Sequence, residues 1–85
     1  MEREEFMKLT DILLTEEEIT FTYDNHFIHV QESCEGGYDG SVYNSKEEYE
    51  NAEDPIDGGS CETIVAIAAI EFFMDIARDL TEKGL

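Results

Sequence analysis

The longest apolar run of the chain lies near its end, in residues 61–83 (CETIVAIAAIEFFMDIARDLTEK). Ile64, Val65, Ile67, Ile70, Phe72, Phe73, Met74, Ile76 and Leu80 recur there with alanines between them. At about 100° per residue, Glu71, Asp75, Arg78 and Glu82 fall on one narrow stripe. The pattern predicts a helix from Cys61 to Lys83, roughly 34 Å long, buried on more than one side and wrapped by the other elements. Gly58, Gly59 and Ser60 mark its start, with Ser60 as N-cap and Glu62 near the positive end of the dipole. Lys83 and Gly84 mark its end. Glu71 and Asp75 interrupt the run, which argues against a membrane span of roughly 20 apolar residues. Ile64, Ile67 and Met74 stand off the main apolar face, where they would pair two copies across a two-fold axis in a homodimer.

Upstream, residues 3–14 (REEFMKLTDILL) read as a short helix. Phe6, Leu9 and Leu13 keep 3/4 spacing, Met7 and Leu14 widen the stripe, and Glu4 and Glu5 occupy the first turn. Residues 18–32 (EITFTYDNHFIHVQE) form a hairpin about Asp24-Asn25, both tolerant of positive φ. Pairing sets Tyr23 against His26, Phe21 against Ile28 and Ile19 against Val30, all on one apolar face. Thr20, Thr22, Phe27, His29 and Gln31 take the other face. After Gly36-Gly37, residues 38–44 (YDGSVYN) make a third strand in which Gly40 weakens the strand or marks a bulge. Ser45 and Glu48 have capping-box spacing, which starts a short helix from Lys46 to about Ala52, with Pro55 as its stop. The expected architecture is one α+β domain over residues 1–85: an N-terminal helix, a three-stranded antiparallel sheet, a short acidic helix, and the long C-terminal helix packed on the sheet.

Charge changes the picture. The chain has 85 residues, 22 acidic and 5 basic side chains, and a net charge of −17. A hydrophobic share of 41%, with four tyrosines and five phenylalanines, still provides one modest core. A small domain ordinarily sits at a magnitude of ~2–8, and self-repulsion at −17 opposes compaction. Direct nucleic-acid or anionic-membrane binding has nothing to neutralise phosphate with. A basic partner or a cation is the natural counterpart, and generic halophilic acidity is the bland one. The start, MEREEFMKLT, lacks the cationic and apolar regions of a signal peptide, which leads to the expectation of a cytoplasmic protein with reduced Cys34 and Cys61.

Candidate chemistry is thin. His26 and His29 point to opposite faces of the hairpin, against a shared zinc; His26 is expected at the rim and His29 at the surface. Neither DGSVYNSKEEYE nor EDPIDGGSCE has the ligand order of a calcium loop. No nucleophile motif, phosphate loop or cofactor signature occurs, so no catalytic residue, metal or cofactor is assigned, and the protein is read as a non-enzyme. Both cysteines sit just outside predicted elements, as half-buried structural thiols.

The carboxylates themselves are the remaining candidate. Duplex DNA carries about one charge per 1.7 Å of axis, and carboxylates about 6 Å apart on a helix or 6.8 Å on a strand can follow such a track. The candidate partner-binding residues are Glu32, Glu35, Asp39, Glu47, Glu48, Tyr49, Glu50, Glu53, Asp54 and Asp57, with Glu16, Glu17 and Glu18 as an extension. Tyr38, Tyr43 and Tyr49 lie among them as rigid contact residues. In architecture and charge the whole chain resembles phage anti-CRISPR proteins of the DNA-mimic kind. The stretch YNSKEEYENAEDP is similar to one in antirestriction DNA mimics, where a Ser/Asp-Lys-Glu-Glu-aromatic run precedes an acidic Asp-Pro. The resemblance implies a stoichiometric inhibitor, encoded by a phage or mobile element, that occupies the site where a Cas effector reads the PAM duplex. Two other classes fit the composition: an intracellular adaptor or antitoxin covering a basic partner, and an acidic homo-oligomeric structural protein.

Overall fold

Asp24 and Asn25, at φ 51° and 66°, close the two-residue turn that sets the sheet. The computed structural model describes all residues, 1–85. The elements are α1 (Arg3–Glu16), β1 (Glu18–Tyr23), β2 (His26–Glu32), β3 (Tyr38–Tyr43), α2 (Lys46–Glu50), β4 (Asp57–Cys61) and α3 (Ala66–Glu82). The hairpin register is the expected one, Ile19 to Val30, Phe21 to Ile28 and Tyr23 to His26. The sheet, however, is four-stranded and antiparallel throughout, in the order β1-β2-β3-β4. α1 packs on β1 and α3, and α3 lies across β2, β3 and β4, so both long helices cover one face. Ile19, Phe21, Ile28, Val30, Tyr38 and Val42 from the sheet meet Leu9, Leu13, Ile70, Phe73 and Leu80 in one core cluster.

The fourth strand corrects the three-stranded expectation. Gly58, Gly59 and Ser60 are expected as the start signal of the long helix and Cys61 as its first residue, but Asp57–Cys61 (DGGSC) is a strand. It pairs instead with β3, Tyr38 opposite Cys61 and Val42 opposite Asp57. Glycines have low strand propensity and carry no alternating pattern, so backbone pairing alone makes this strand. A Cβ at Gly58 would lie 2.6 Å from the Gly40 carbonyl oxygen. The tight fit of β4 against β3 therefore requires glycine there. Gly40 itself marks no bulge, since β3 pairs regularly on both sides. It makes room for Phe73, whose ring carbons would stand 2.5–2.7 Å from an added Cβ.

The long helix accordingly starts at Ala66 with Val65 at the N-cap, five residues after the expected start, and is ~26 Å long. Thr63, Ile64 and Val65 are all β-branched and resist helix formation. Thr63 Oγ1 accepts the Val65 N–H at 3.1 Å in the connecting turn. Met74 is buried in the core, so it cannot join Ile64 and Ile67 in a two-fold contact; Ile64 lies outside the helix and is 83% exposed. α1 runs two residues beyond its expected end and stops at Glu17, whose φ of 67° is left-handed and whose N–H donates to the Leu13 carbonyl. Phe6, Leu9 and Leu13 face inward, while Met7 and Leu14 are exposed and do not widen the buried stripe. α2 ends at Glu50, short of Ala52. No helix is long and apolar enough to cross a membrane.

Candidate functional site

Side chains alternate across a strand, so one sheet face meets the helices and the other faces away. The outward face carries Glu18, Thr20 and Thr22 of β1, Phe27, His29 and Gln31 of β2, Asp39, Ser41 and Tyr43 of β3, and Ser60 of β4. Glu18, Gln31, Asp39 and Ser60 stand in one row across all four strands. Asp39 Oδ1 accepts the Ser60 hydroxyl at 2.6 Å, and Glu18 Oε2 accepts from His29 Nε2 at 3.1 Å. Strands are about 4.8 Å apart, which puts Glu18 and Asp39 about 10 Å apart along the row.

α2 lies over the same face. Ser45 caps it as expected, its hydroxyl accepting the Glu48 N–H at 3.3 Å. Five residues do not hold a helix alone. Tyr49 supplies the tertiary contact: its ring centroid is 5.2 Å from Phe27, 5.3 Å from His29 and 5.5 Å from Tyr43. Phe27, expected on a solvated face, is buried under this cover, and His29 is half-buried. With Tyr49 facing the sheet, Glu47 and Glu50 of the same helix are exposed and Glu48 is half-buried. Lys46, the one cation in this region, sits 3.8 Å from Glu50.

The structure thus brings Glu47, Glu48 and Glu50 together with Glu18 and Asp39 on one side of the sheet. Glu53 and Asp54 follow in the exposed loop behind α2. Asp57 opens β4 opposite the buried Val42, so, like Glu32, it has the helix-side parity and departs from the track. Glu35 belongs with Asp39 and Glu62 in a separate cleft of about 370 Å³, which both Cys34 and Cys61 also line. Cys34 is exposed and Cys61 half-buried, and both thiols are free. Glu32 departs from the track: its strand position gives it the helix-side parity, opposite Tyr38. Tyr38 is buried in the core and unavailable as a contact residue. Burial pushes its phenol above the ordinary value, and the charge of Glu32 adds to the rise. Tyr49 and Tyr43 are half-buried in the ring cluster, so Tyr49 acts as the clamp of α2.

No protein-family model, curated protein or solved structure matches this chain. The surface must therefore be read from its own chemistry.

Between Lys8 and Arg78 the sequence contains a single cation, Lys46. The other four, Arg3, Lys8, Arg78 and Lys83, belong to α1 and to α3 and its end. The helical layer mixes both signs; the sheet side with α2 is almost purely anionic. Arg78 is already engaged, donating to Asp75 Oδ1 at 2.8 Å and to the Tyr23 hydroxyl at 2.9 Å. That hydrogen bond, with lesser help from the neighbouring carboxylates, raises its guanidinium further above its ordinary value.

His26 also differs from expectation. It is buried, not at the rim. Its Nδ1 donates to the Asp24 carbonyl at 2.9 Å and lies 3.3 Å from Thr81 Oγ1, which donates to the same carbonyl at 2.8 Å. This ties the hairpin turn to the last turn of α3. No group of three or more His, Cys, Asp or Glu side chains is arranged to hold a metal ion. Sequence reasoning missed Phe27 and His29 as the bed of α2, and Ser60 and Glu62 as neighbours of the acids. The parity of β2 already placed Phe27 and His29 on the face away from Ile28 and Val30; that this face also carries Asp39 follows from the register of β2 on β3. Ser60 and Glu62 required knowing that β4 is a strand.

Proposed function

We propose that this protein is a non-enzymatic inhibitor that occupies the cationic DNA-binding cleft of a nucleic-acid-binding defence protein, of the Cas-effector kind. It presents fixed carboxylates where phosphates would lie. One observation carries the reading: Tyr49 clamps a three-glutamate helix onto the sheet face that also bears Glu18 and Asp39, with Lys46 as the sole opposing charge. Glutamates three apart on a helix are ~5–6 Å from one another, and the row on the sheet has ~10 Å gaps. The track is sparser than a duplex, so long-range steering and release of counterions from the partner would supply most of the attraction. Glu53 and Asp54 extend the anionic side along the chain; Glu35 is a flank of it, and Glu32 and Asp57, both of helix-side parity, are assigned no contact.

The test compares two charge-matched variants. Glu47→Lys with Glu48→Lys and Glu50→Lys should abolish displacement of duplex DNA from a captured partner, with the far-ultraviolet circular dichroism unchanged. Glu71→Lys with Asp79→Lys and Glu82→Lys makes the same change of net charge on α3 and should leave inhibition intact. Equal loss in both would show that bulk charge, not this face, is what the partner reads. Capture from host lysate with and without competing duplex DNA identifies the partner, and a salt-resistant complex would point to an adaptor contact instead.

A further inference from the structure

We infer that the seam between α1 and the free edge of β1 is a docking groove for an extended segment of another protein, one that alternates apolar and cationic side chains. The inference concerns a different surface from the acidic face and does not depend on DNA mimicry.

β1 is an outer strand of the sheet. The Glu32 N–H donates to the Glu17 carbonyl at 2.8 Å, which fixes the phase of the β1–β2 ladder. Hydrogen-bonded pairs alternate along an antiparallel ladder, so Ile19, Phe21 and Tyr23 spend their backbone groups on β2. Glu18, Thr20 and Thr22 turn theirs away from the sheet, and all three residues are exposed. Proteins ordinarily blunt such an edge with lysine, proline or a bulge, and β1 has none of these.

The seam beside this edge is shaped to take side chains. α1 leaves Glu17 by a tight turn and so runs back along β1. Leu9 and Ile12 of α1 face Glu18, Ile19 and Thr20 across a cleft of about 250 Å³. Further along, Met1 and Glu5 face Thr22 and Asp24 across one of about 530 Å³. Glu5, Leu9, Ile12 and Glu16 are spaced as a single helical stripe, apolar in the middle and anionic at each end. A strand laid beside β1 at about 4.8 Å would point every second side chain into the apolar centre. Its other side chains would rise beside Glu18 and Asp24. Arg78 also lines the far cleft and feels the charge of Asp24, but its hydrogen bonds go to Asp75 and Tyr23, and neither Glu5 nor Asp24 forms an ion pair with it. Glu18 and Asp24 therefore select cationic side chains at the alternate positions. They also disfavour a second copy of this chain, which would bring −17 against −17.

The other free edge is a weaker candidate. β4 turns Gly58 and Ser60 outward by the same alternation, but the Gly58 N–H already donates to Asp57 Oδ1 at 2.7 Å, and the strand has no apolar cleft beside it to choose a side chain.

The experiment titrates the full chain at ~0.15 M salt with a blocked hexapeptide of alternating lysine and valine. Two forms of that peptide, N-methylated at one or the other alternate set of amides, serve as controls. Amide hydrogen exchange at Thr20 and Thr22 should slow by at least tenfold on binding. One methylated form should lose at least tenfold in affinity and the other should bind as the parent does, because only one set of amides faces β1. Thr20→Pro removes an outward donor and should weaken the parent peptide by a similar factor. Equal affinity of the parent and both methylated forms would overturn the proposal, since the peptide would then be held by charge alone. Protection of Thr20 and Thr22 that grows with protein concentration and needs no peptide would overturn it too, in favour of self-pairing.

Discussion

Replacing Tyr49 by alanine removes no charge, yet it should disable the acidic face. Tyr49 holds three ring contacts, at 5.2, 5.3 and 5.5 Å. Each such pair contributes roughly 0.5–1.5 kcal/mol beyond area burial, and a shared ring makes them less than additive, so a loss of about 2–3 kcal/mol is expected. A domain of this size has a total of ~4–13 kcal/mol, so the sheet and the two long helices should stay folded. α2 should not, because one capped turn with a hydroxyl bond at 3.3 Å has no other anchor of comparable strength. Amide exchange should accelerate selectively at Tyr49, Glu50 and Asn51, whose N–H groups close the helix, while Ile28 and Val30 remain protected. Each kcal/mol should lower Tm by roughly 4–8 °C. Tyr49→Phe keeps the ring and should change little. Inhibition by Tyr49→Ala should weaken by tenfold or more at an unaltered net charge of −17. Retention of full inhibition with α2 melted would refute the idea that the carboxylates must be held in place. Unchanged exchange in α2 would refute the clamp itself.

Three more outcomes follow from the same packing and charge. Gly40→Ala should cost about 2–3 kcal/mol in urea unfolding, because a Cβ would press on the fully buried Phe73 ring, and adding Phe73→Leu should return part of it. Tyr38 has its phenol raised in the folded chain, so its favourable contribution is complete below about pH 10 and is lost as pH climbs through the higher folded value; Tyr38→Phe should extend the alkaline limit of folding, read by circular dichroism above pH 10. Raising salt from ~0.01 to ~0.5 M should increase Tm, because screening relieves the mutual repulsion of the carboxylates, and a flat or falling Tm would contradict that account.

What could be read from the chain alone depended on whether two local signals agreed. At Asp24-Asn25 the turn residues and the two-residue period of Ile19, Phe21, Ile28 and Val30 demand the same register, and the hairpin is as expected. Ser45 and Glu48 likewise announce α2 by spacing. β4 carries no such signal, because its glycines contribute backbone and no side-chain pattern, and its partner lies fifteen or more residues away. Ile64 and Val65 have the hydrophobicity of the helix that follows but the branching of a strand, and the branching prevailed. The burial of Phe27 required a cover from another element, which no periodicity within β2 could reveal. For the candidate face, acidity alone picks Asp39 and Glu32 alike, and only the register of β2 on β3 separates their faces; the cap points to Glu47 and Glu48, and the part played by Tyr49 lies in a contact between elements.

The scarcity of cations has a practical consequence for Lys46. Trypsin cleaves after lysine and arginine, and Lys46 is its one substrate bond in the long interval between Lys8 and Arg78. That bond is also the first of α2. Scission there requires the segment to open and enter the protease, so the rate at which the chain splits into two large fragments counts the openings of this one helix.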